Sequence, residues 1–371
     1  MKKVHIYNDH IEQTALDQFD SAMSQDFAVK GALMPDAHTG YSLPIGAVVA
    51  TRNVIVPAWV GYDIGCGMCA IPTTGGVAGI EGTEQDILNR IFRDIPTGFA
   101  HNQKDTRNTV LNPDNLTAAG RAIFDKNGYK QLGSLGGGNH FIELGTDEIG
   151  KIWVIIHSGS RGIGHAIASY YMRLASGDGK AREGHFGFDV DSQEGRDYIQ
   201  DMNFGLQFAL ENRKEMLSRI EQIFDRLNIG LFEWDKLINR NHNHAEYNET
   251  EGLWIHRKGA THAEVGMMGV IPGNMRDGSF IVQGKGNPNA LYSSSHGAGR
   301  VLGRKQAQKT LSMDEFRETM KGICGVVTPE TLDESPMAYK NIFEVMELQK
   351  DLVDVLHHIK PLINIKAKGE C

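Results

Sequence analysis

The sequence predicts an α+β fold, a single large mixed unit over residues 1–371 in which β-sheets and surrounding helices enclose a deep cleft. Three observations lead there. Short apolar runs bounded by glycine and proline recur along the chain. One long amphipathic stretch lies between them. Strands and helices do not alternate as βαβ units, which argues against a doubly wound parallel sheet.

In chain order, segments 46–50 and 54–56 read as early strands, and 141–144 and 152–156 follow. Segments 253–256 and 279–283 repeat the style in the second half. Between 197 and 227, Met202, Leu206, Ala209, Met216, Ile220, Ile223 and Leu227 mark a stripe at helical spacing, which predicts a core-facing seam. Ser312 with Glu315 has the form of a capping box opening another helix. Segment 345–358 predicts a late helix ended by Pro361. There is no internal repeat and no low-complexity linker. The polar motifs are scattered from Asp36 to Lys366, so a site built from them requires one fold converging on one cleft.

The chain has 371 residues, of which 40% are hydrophobic and 23% charged, so it can bury a large core. A net charge of −8 excludes a uniformly basic, nucleic-acid-coating surface but leaves room for a local basic groove. The start, Met1-Lys2-Lys3-Val4-His5-Ile6, lacks the apolar run of a signal peptide, and no apolar stretch approaches a membrane span. The expectation is a cytoplasmic protein with no membrane partner. Four cysteines do not make a disulfide scaffold. Cys66 and Cys69 form a C-x-x-C, read either as a redox pair or as half a zinc site; Cys324 and Cys371 receive no role.

His296 carries the most chemistry. It stands in Ser295-His296-Gly297-Ala298-Gly299-Arg300, where the glycines let backbone approach a phosphate. Arg300 and Arg304 follow at helical spacing, so a helix there would put both guanidinium forks on one face. The competing reading is a glycine-rich turn that happens to contain a histidine.

Candidate metal ligands lie elsewhere. Asp63-Ile64-Gly65-Cys66-Gly67 brings a carboxylate and a thiol together in a glycine-rich turn. The loop Gly133–His140 reads as a phosphate cradle with His140 aimed into it, or as a flexible strand lead-in. His157 ends a strand beside Ser158-Gly159-Ser160-Arg161, and Asn241-His242-Asn243-His244 adds further imidazoles. This mixture of soft and hard donors suits a transition metal better than magnesium.

Together these segments resemble the RtcB family of RNA-splicing ligases. The matching stretches are MPDAHTGYSLPIGAVVA, GYDIGCG, GSLGGGNHFIEL, IHSGSRGIGH, HNHAE, HRKGAT, IPGNM and SSSHGAGR, then AYK and IKPLINIKA. They run in family order over nearly the whole chain.

The resemblance implies an RtcB-like fold around a metal-containing cleft. His296 would attack the α-phosphorus of GTP to give a covalent histidine–GMP. Asp63, Cys66, His140, His157 and His242 would hold two manganese ions, Cys66 being shared. Asn139, Glu143, Ser279, Gly297, Ala298, Gly299, Tyr339 and Lys366 would surround the guanylate, with Lys368 as the alternative lysine. Arg161, Arg300 and Arg304 would bind RNA phosphates. Asp36 and His38 belong to the family's early segment and receive no role. His244 and Cys69 stand beside the expected ligands as packing or outer residues.

The implied reaction joins an RNA 3′-phosphate, or 2′,3′-cyclic phosphate, to a 5′-hydroxyl, as in tRNA splicing or RNA repair, with room for an activating protein partner. Two alternatives are a metal-dependent phosphoesterase or nuclease acting on RNA or DNA ends, and a non-enzymatic metal- or RNA-binding module.

Overall fold

A computed structural model describes residues 2–367; Lys368 and Cys371 lie outside the described residues. The architecture is mixed α+β, as the spacing of strands and helices implied. A five-stranded sheet has the order Lys3–Ile6, Ala28–His38, Ile45–Thr51, Leu253–Lys258, Asn243–Asn248. Its first pair is parallel and the rest antiparallel. A larger antiparallel sheet runs Met268–Pro272, Ser279–Gly284, Val353–Lys366, Phe141–Thr146, Lys151–Ser158, Gly67–Gly76, Ile238–Asn241.

The larger sheet is covered on both faces, which is why its strands read as continuous apolar runs. Cys69, Ile71, Ile142, Leu144, Val154 and Ile156 share one core with Met216, Leu217, Ile220, Ile223 and Phe224 of the long helix Gln193–Leu227. The alternate residues Met68, Ala70, Phe141 and Ile155 pack with Val270, Ile281 and Ile359 in another. This alternation is the two-residue period of a strand.

The long helix opens on Ser192, whose Oγ accepts from Gly195 N at 3.0 Å, and closes on Asn228 at φ 52°. Its stripe serves two cores. Met202 is buried in a core with Phe19, Trp59 and Tyr171, and Leu206 packs against it; the buried Ala209 lies beside the Gly65 turn, whereas Met216, Ile220 and Ile223 face the sheet.

All six expected strands are present, and Ser312 caps the helix Met313–Thr319 by accepting from Asp314 N and Glu315 N. The late helix is the error. Helix Ile342–Leu348 stops, and Val353–Lys366 is a strand. Val353, Val355, Ile359, Ile363 and Ile365 are β-branched at period two, and that pattern wins. Pro361 is tolerated because the register shifts between Pro361 and Ile363. No helix among the described residues is long and apolar enough to cross a membrane.

Candidate active site

Four neighbouring strands of the larger sheet bring their ends to one edge. Because they run antiparallel, the starts of Phe141–Thr146 and Gly67–Gly76 lie beside the ends of Lys151–Ser158 and Ile238–Asn241. His140, Cys66, His157 and His242 occupy those ends, and Asp63 stands in the turn before Cys66. Cys66 Sγ is 3.4 Å from His140 Nε2 and 3.2 Å from His157 Nε2. His157 Nε2 is 3.3 Å from His242 Nε2, and Asp63 Oδ2 is 3.0 Å from His140 Nε2. The sequence scattered these five residues over almost half the chain; the structure brings all five together.

The ring orientations are fixed from behind. His140 Nδ1 donates to Leu135 O at 3.0 Å and His157 Nδ1 donates to Asn139 O at 3.1 Å. Each Nε2 is thereby turned toward Cys66, the arrangement in which backbone carbonyls hold imidazole ligands of a cation. Ligand atoms of Cys66, His140 and His157 lie within 4.8 Å of one another, close enough to hold a metal ion. Burial, then the charge of Asp63, pushes the Cys66 thiol well up, so a cation binding there would take the proton's place. Burial alone would raise the Asp63 carboxyl, but its hydrogen bond and charge interaction with His140 hold it at about 2.

Arg213 and Asn212, which the sequence reading passed over, support this edge. Arg213 is fully buried and donates to Gly65 O at 3.0 Å and Ser158 O at 2.7 Å, and to the side-chain oxygens of Asn239 and Asn241. Asn212 Oδ1 accepts from Gly133 N and Ser134 N, and its Nδ2 donates to Ser134 O and Gly159 O. The two ends of the glycine loop are therefore fixed by packing. The N–H groups of Gly133, Ser134, Leu135 and His140 are already engaged. At Gly136, φ 91°, a Cβ would sit 1.8 Å from Arg161 Nη1 and 2.7 Å from His140 Nδ1.

His296 follows the short strand Ser293–Ser295, and its ring centroid lies 4.8 Å from that of His242. Its Nδ1 is 2.7 Å from Oδ2 of the fully buried Asp36, which also accepts from Gly297 N at 3.3 Å. Burial works against the Asp36 charge, but His296 outweighs it and lowers the carboxyl. Gly299 has φ 76°, and a Cβ there would meet Asp36 O at 2.2 Å. The neighbouring His38 donates from Nδ1 to Asp36 O at 3.0 Å, and burial lowers its imidazole to about 4.

His296 opens onto a cavity of about 290 Å³. Asn139, Gly297, Ala298, Gly299, Tyr339, Lys366, Arg300 and Arg304 line it, as do His38 and Pro272–Asn274 from the segments PDAH and IPGNM. Glu143 and Ser279 sit behind the wall: Ser279 Oγ donates to Glu143 Oε1 at 3.0 Å, and Asn364, which lines the cavity, donates to Oε2 at 3.1 Å. Burial pushes the Glu143 carboxyl up to about 7. Arg161 stands apart, beneath the Gly136 loop, with Nη2 donating to Gly98 O at 2.7 Å.

The expected helix carrying both arginines is absent: residues 297–303 are not helical and a helix begins only at Arg304. The two forks meet on Glu334 instead. Arg300 Nη1 lies 3.0 Å and Arg304 Nη1 2.5 Å from Oε1, while Lys366 Nζ at 2.7 Å and Tyr339 OH at 2.6 Å donate to Oε2. Burial would raise this carboxyl, yet Lys366, Arg304 and Arg300 bring it down to about 2. The sequence carried the signal, an acidic pair just before Ala338-Tyr339-Lys340, which the motif reading left out.

Cys69 and His244 take no part in the ligand cluster. Cys69 points into the core shared with the long helix, and burial pushes its thiol up to about 12. His244 joins Glu246 and His262, donors near enough to suggest a cation. The fully buried Arg257 argues against one. It donates to both His244 Nε2 and Glu246 Oε1, and the His244 and His262 rings are stacked at 15°, so their ring nitrogens lie in near-parallel planes. Arg257 ties the group together through Glu246 and Glu264, while Nδ1 of His244 is buried without a hydrogen-bond partner.

Comparison with known proteins identifies the family. The family described as tRNA-splicing ligase RtcB matches residues 18–124 and 117–367. The RNA-splicing ligase RtcB of Escherichia coli K12 is 34% identical over 395 aligned residues, covering 96% of this chain and 95% of that one. The tRNA-splicing ligase RtcB of Nanoarchaeum equitans is 28% identical, covering 90% and 87%, and that of Thermococcus kodakarensis is 28% identical, covering 89% and 86%. A family match over nearly the whole chain, together with a relative 34% identical across 96% of it, places the chain in the tRNA-splicing ligase RtcB family.

Proposed function

We propose that this protein is a GTP- and manganese-dependent RNA ligase that joins RNA 3′-phosphate or 2′,3′-cyclic phosphate ends to 5′-hydroxyl ends, in tRNA splicing or RNA repair. The observation that carries the reading is the placement of His296. Asp36 backs its Nδ1, its other face meets the metal-ligand cluster, and its glycines open onto a cavity lined by Arg300, Arg304 and Lys366.

Asp36 holding Nδ1 leaves His296 Nε2 as the nucleophile. Nε2 attacks the α-phosphorus of GTP, the N–P bond forms, and pyrophosphate leaves. Two manganese ions held by Asp63, Cys66, His140, His157 and His242, with Cys66 shared, would neutralise the triphosphate and favour an in-line displacement. Gly297, Ala298 and Gly299 let backbone approach the guanylate; Asn139, Tyr339 and Lys366 border it, and Glu143 with Ser279 stands behind. GMP passes to the RNA 3′-phosphate, since a bare phosphate monoester is a poor electrophile. The 5′-hydroxyl oxygen then attacks that phosphorus and GMP departs. Arg161, Arg300 and Arg304 grip the RNA phosphates.

Segments from Asp36 to Lys366 all contribute, so residues 1–371 act as one catalytic unit. A reducing, cytoplasmic setting suits a site that needs the Cys66 thiolate. The test is incubation with α-labelled GTP and manganese followed by denaturation. An acid-labile label lost in His296→Ala is expected; a wild-type protein that retains none sinks the ligase reading in favour of a phosphoesterase.

A further inference from the structure

Glu334 does not line the cavity, yet four groups that do are gathered on its carboxylate. They come from separate pieces of chain: Arg300 from the loop after His296, Arg304 from a helix start, Tyr339 from the turn before helix Ile342–Leu348, and Lys366 from the end of the last strand. Glu334 is 3% exposed and Lys366 5%, so neither exchanges its partner for water. Long cationic side chains this close repel one another and have many rotamers. A buried carboxylate with two donors on each oxygen removes both problems.

Resting on the ligase reading above, we infer that Glu334 is a positioning residue: it holds Arg300, Arg304, Tyr339 and Lys366 as one preassembled anion-binding wall, without touching nucleotide or RNA itself. Three cations against Glu334 and Asp333 leave the wall positive, so it still attracts phosphate. Preassembly matters most for a step whose charge develops at a fixed place, because no reorganisation then accompanies reaction. Arg304, with 44% of its side chain exposed against 15% for Arg300 and 6% for Lys366, is the member most accessible to an arriving RNA phosphate.

The test is single-turnover formation of the protein–guanylate adduct over a range of GTP concentrations, in the full-length wild type, Glu334→Gln and Glu334→Asp. Misplaced donors should lower the maximal rate of Glu334→Gln about a hundred-fold, with a much smaller change in half-saturating GTP. Glu334→Asp keeps the charge but is too short to reach four donors, so it should fall between; it also serves if the glutamine variant does not fold. A folded variant with the wild-type maximal rate, or with a loss confined to half-saturation, overturns the inference. So does a crystal structure of either variant with Arg300 and Lys366 unmoved, a result that needs no adduct. A wild type that forms no adduct instead refutes the ligase reading, so the two failures are distinct.

Discussion

Oδ2 of Asp36 lies 2.7 Å from Nδ1 of His296, and Asp36 is fully buried. In the proposed reaction this contact leaves Nε2 as the reacting nitrogen. An amide in place of the carboxylate no longer stabilises positive charge on the ring. Asp36→Asn should slow guanylate transfer to His296 by about a hundred-fold or more, with manganese content near that of the wild type. Adduct formation at the wild-type rate would show that the contact is only structural.

Cys66 stands between His140 and His157, at 3.4 and 3.2 Å. In the proposed site Cys66 is the ligand common to both ions, so its loss is expected to affect the whole cluster. Cys66→Ala should bind clearly less manganese per chain when measured by elemental analysis, and full occupancy would refute the ligand role. Chelating the metal from the wild type should lower its melting temperature, because ligand binding to the folded state stabilises it.

Glu143 gives a pH-dependent test. Its carboxyl is raised from 4.5 to about 7 by burial, so the neutral form suits the fold. The stability it contributes is complete below its ordinary value and is lost as pH rises through about 7. Glu143→Gln never ionises. In denaturant titrations it should gain on the wild type between pH 5 and pH 8, by up to about 3 kcal/mol. Its use of GTP should fall, because the carboxylate behind the guanylate wall is gone. An unchanged stability difference across that range would count against the raised carboxyl.

Arg213 holds both Gly65 O and Ser158 O, the carbonyls beside Cys66 and His157. Arg213→Met leaves those oxygens and the amides of Asn239 and Asn241 without a donor. A loss of at least about 3 kcal/mol is expected, read from the denaturation midpoint, together with weaker manganese binding. A change below about 1 kcal/mol would mean that water replaces the guanidinium.

Lys366 is buried on Glu334 at the cavity wall. Lys366→Ala should therefore impair GTP use more than Lys368→Ala, and steady-state GTP titrations of both variants decide between them. The reverse order would show that the C-terminal segment is misaligned with the family.

What was legible in the sequence followed chemistry and short-range pattern. The six strands, the long helix and its seam were all written in local periodicity. The metal-ligand candidates were recognisable because thiol, carboxylate and imidazole are rare together beside glycine. Long-range partnerships were not legible. Nothing near Asp36 in the chain says that it meets His296, since most of the sequence lies between the two. Arg213 looked like one more polar residue on an amphipathic helix, although its side chain is fully buried. The segment from Val353 failed for another reason: its β-branched residues at period two outweigh the helical spacing read from it, and the strand they form pairs with Phe141–Thr146 and Ser279–Gly284.

The helix Gln193–Leu227 belongs to two hydrophobic cores at once. Neither core can melt and leave the other intact, because each would lose its half of the same rod. Calorimetry on the metal-free protein should therefore trace a single endotherm, and a protease that nicks this rod should release no surviving fragment.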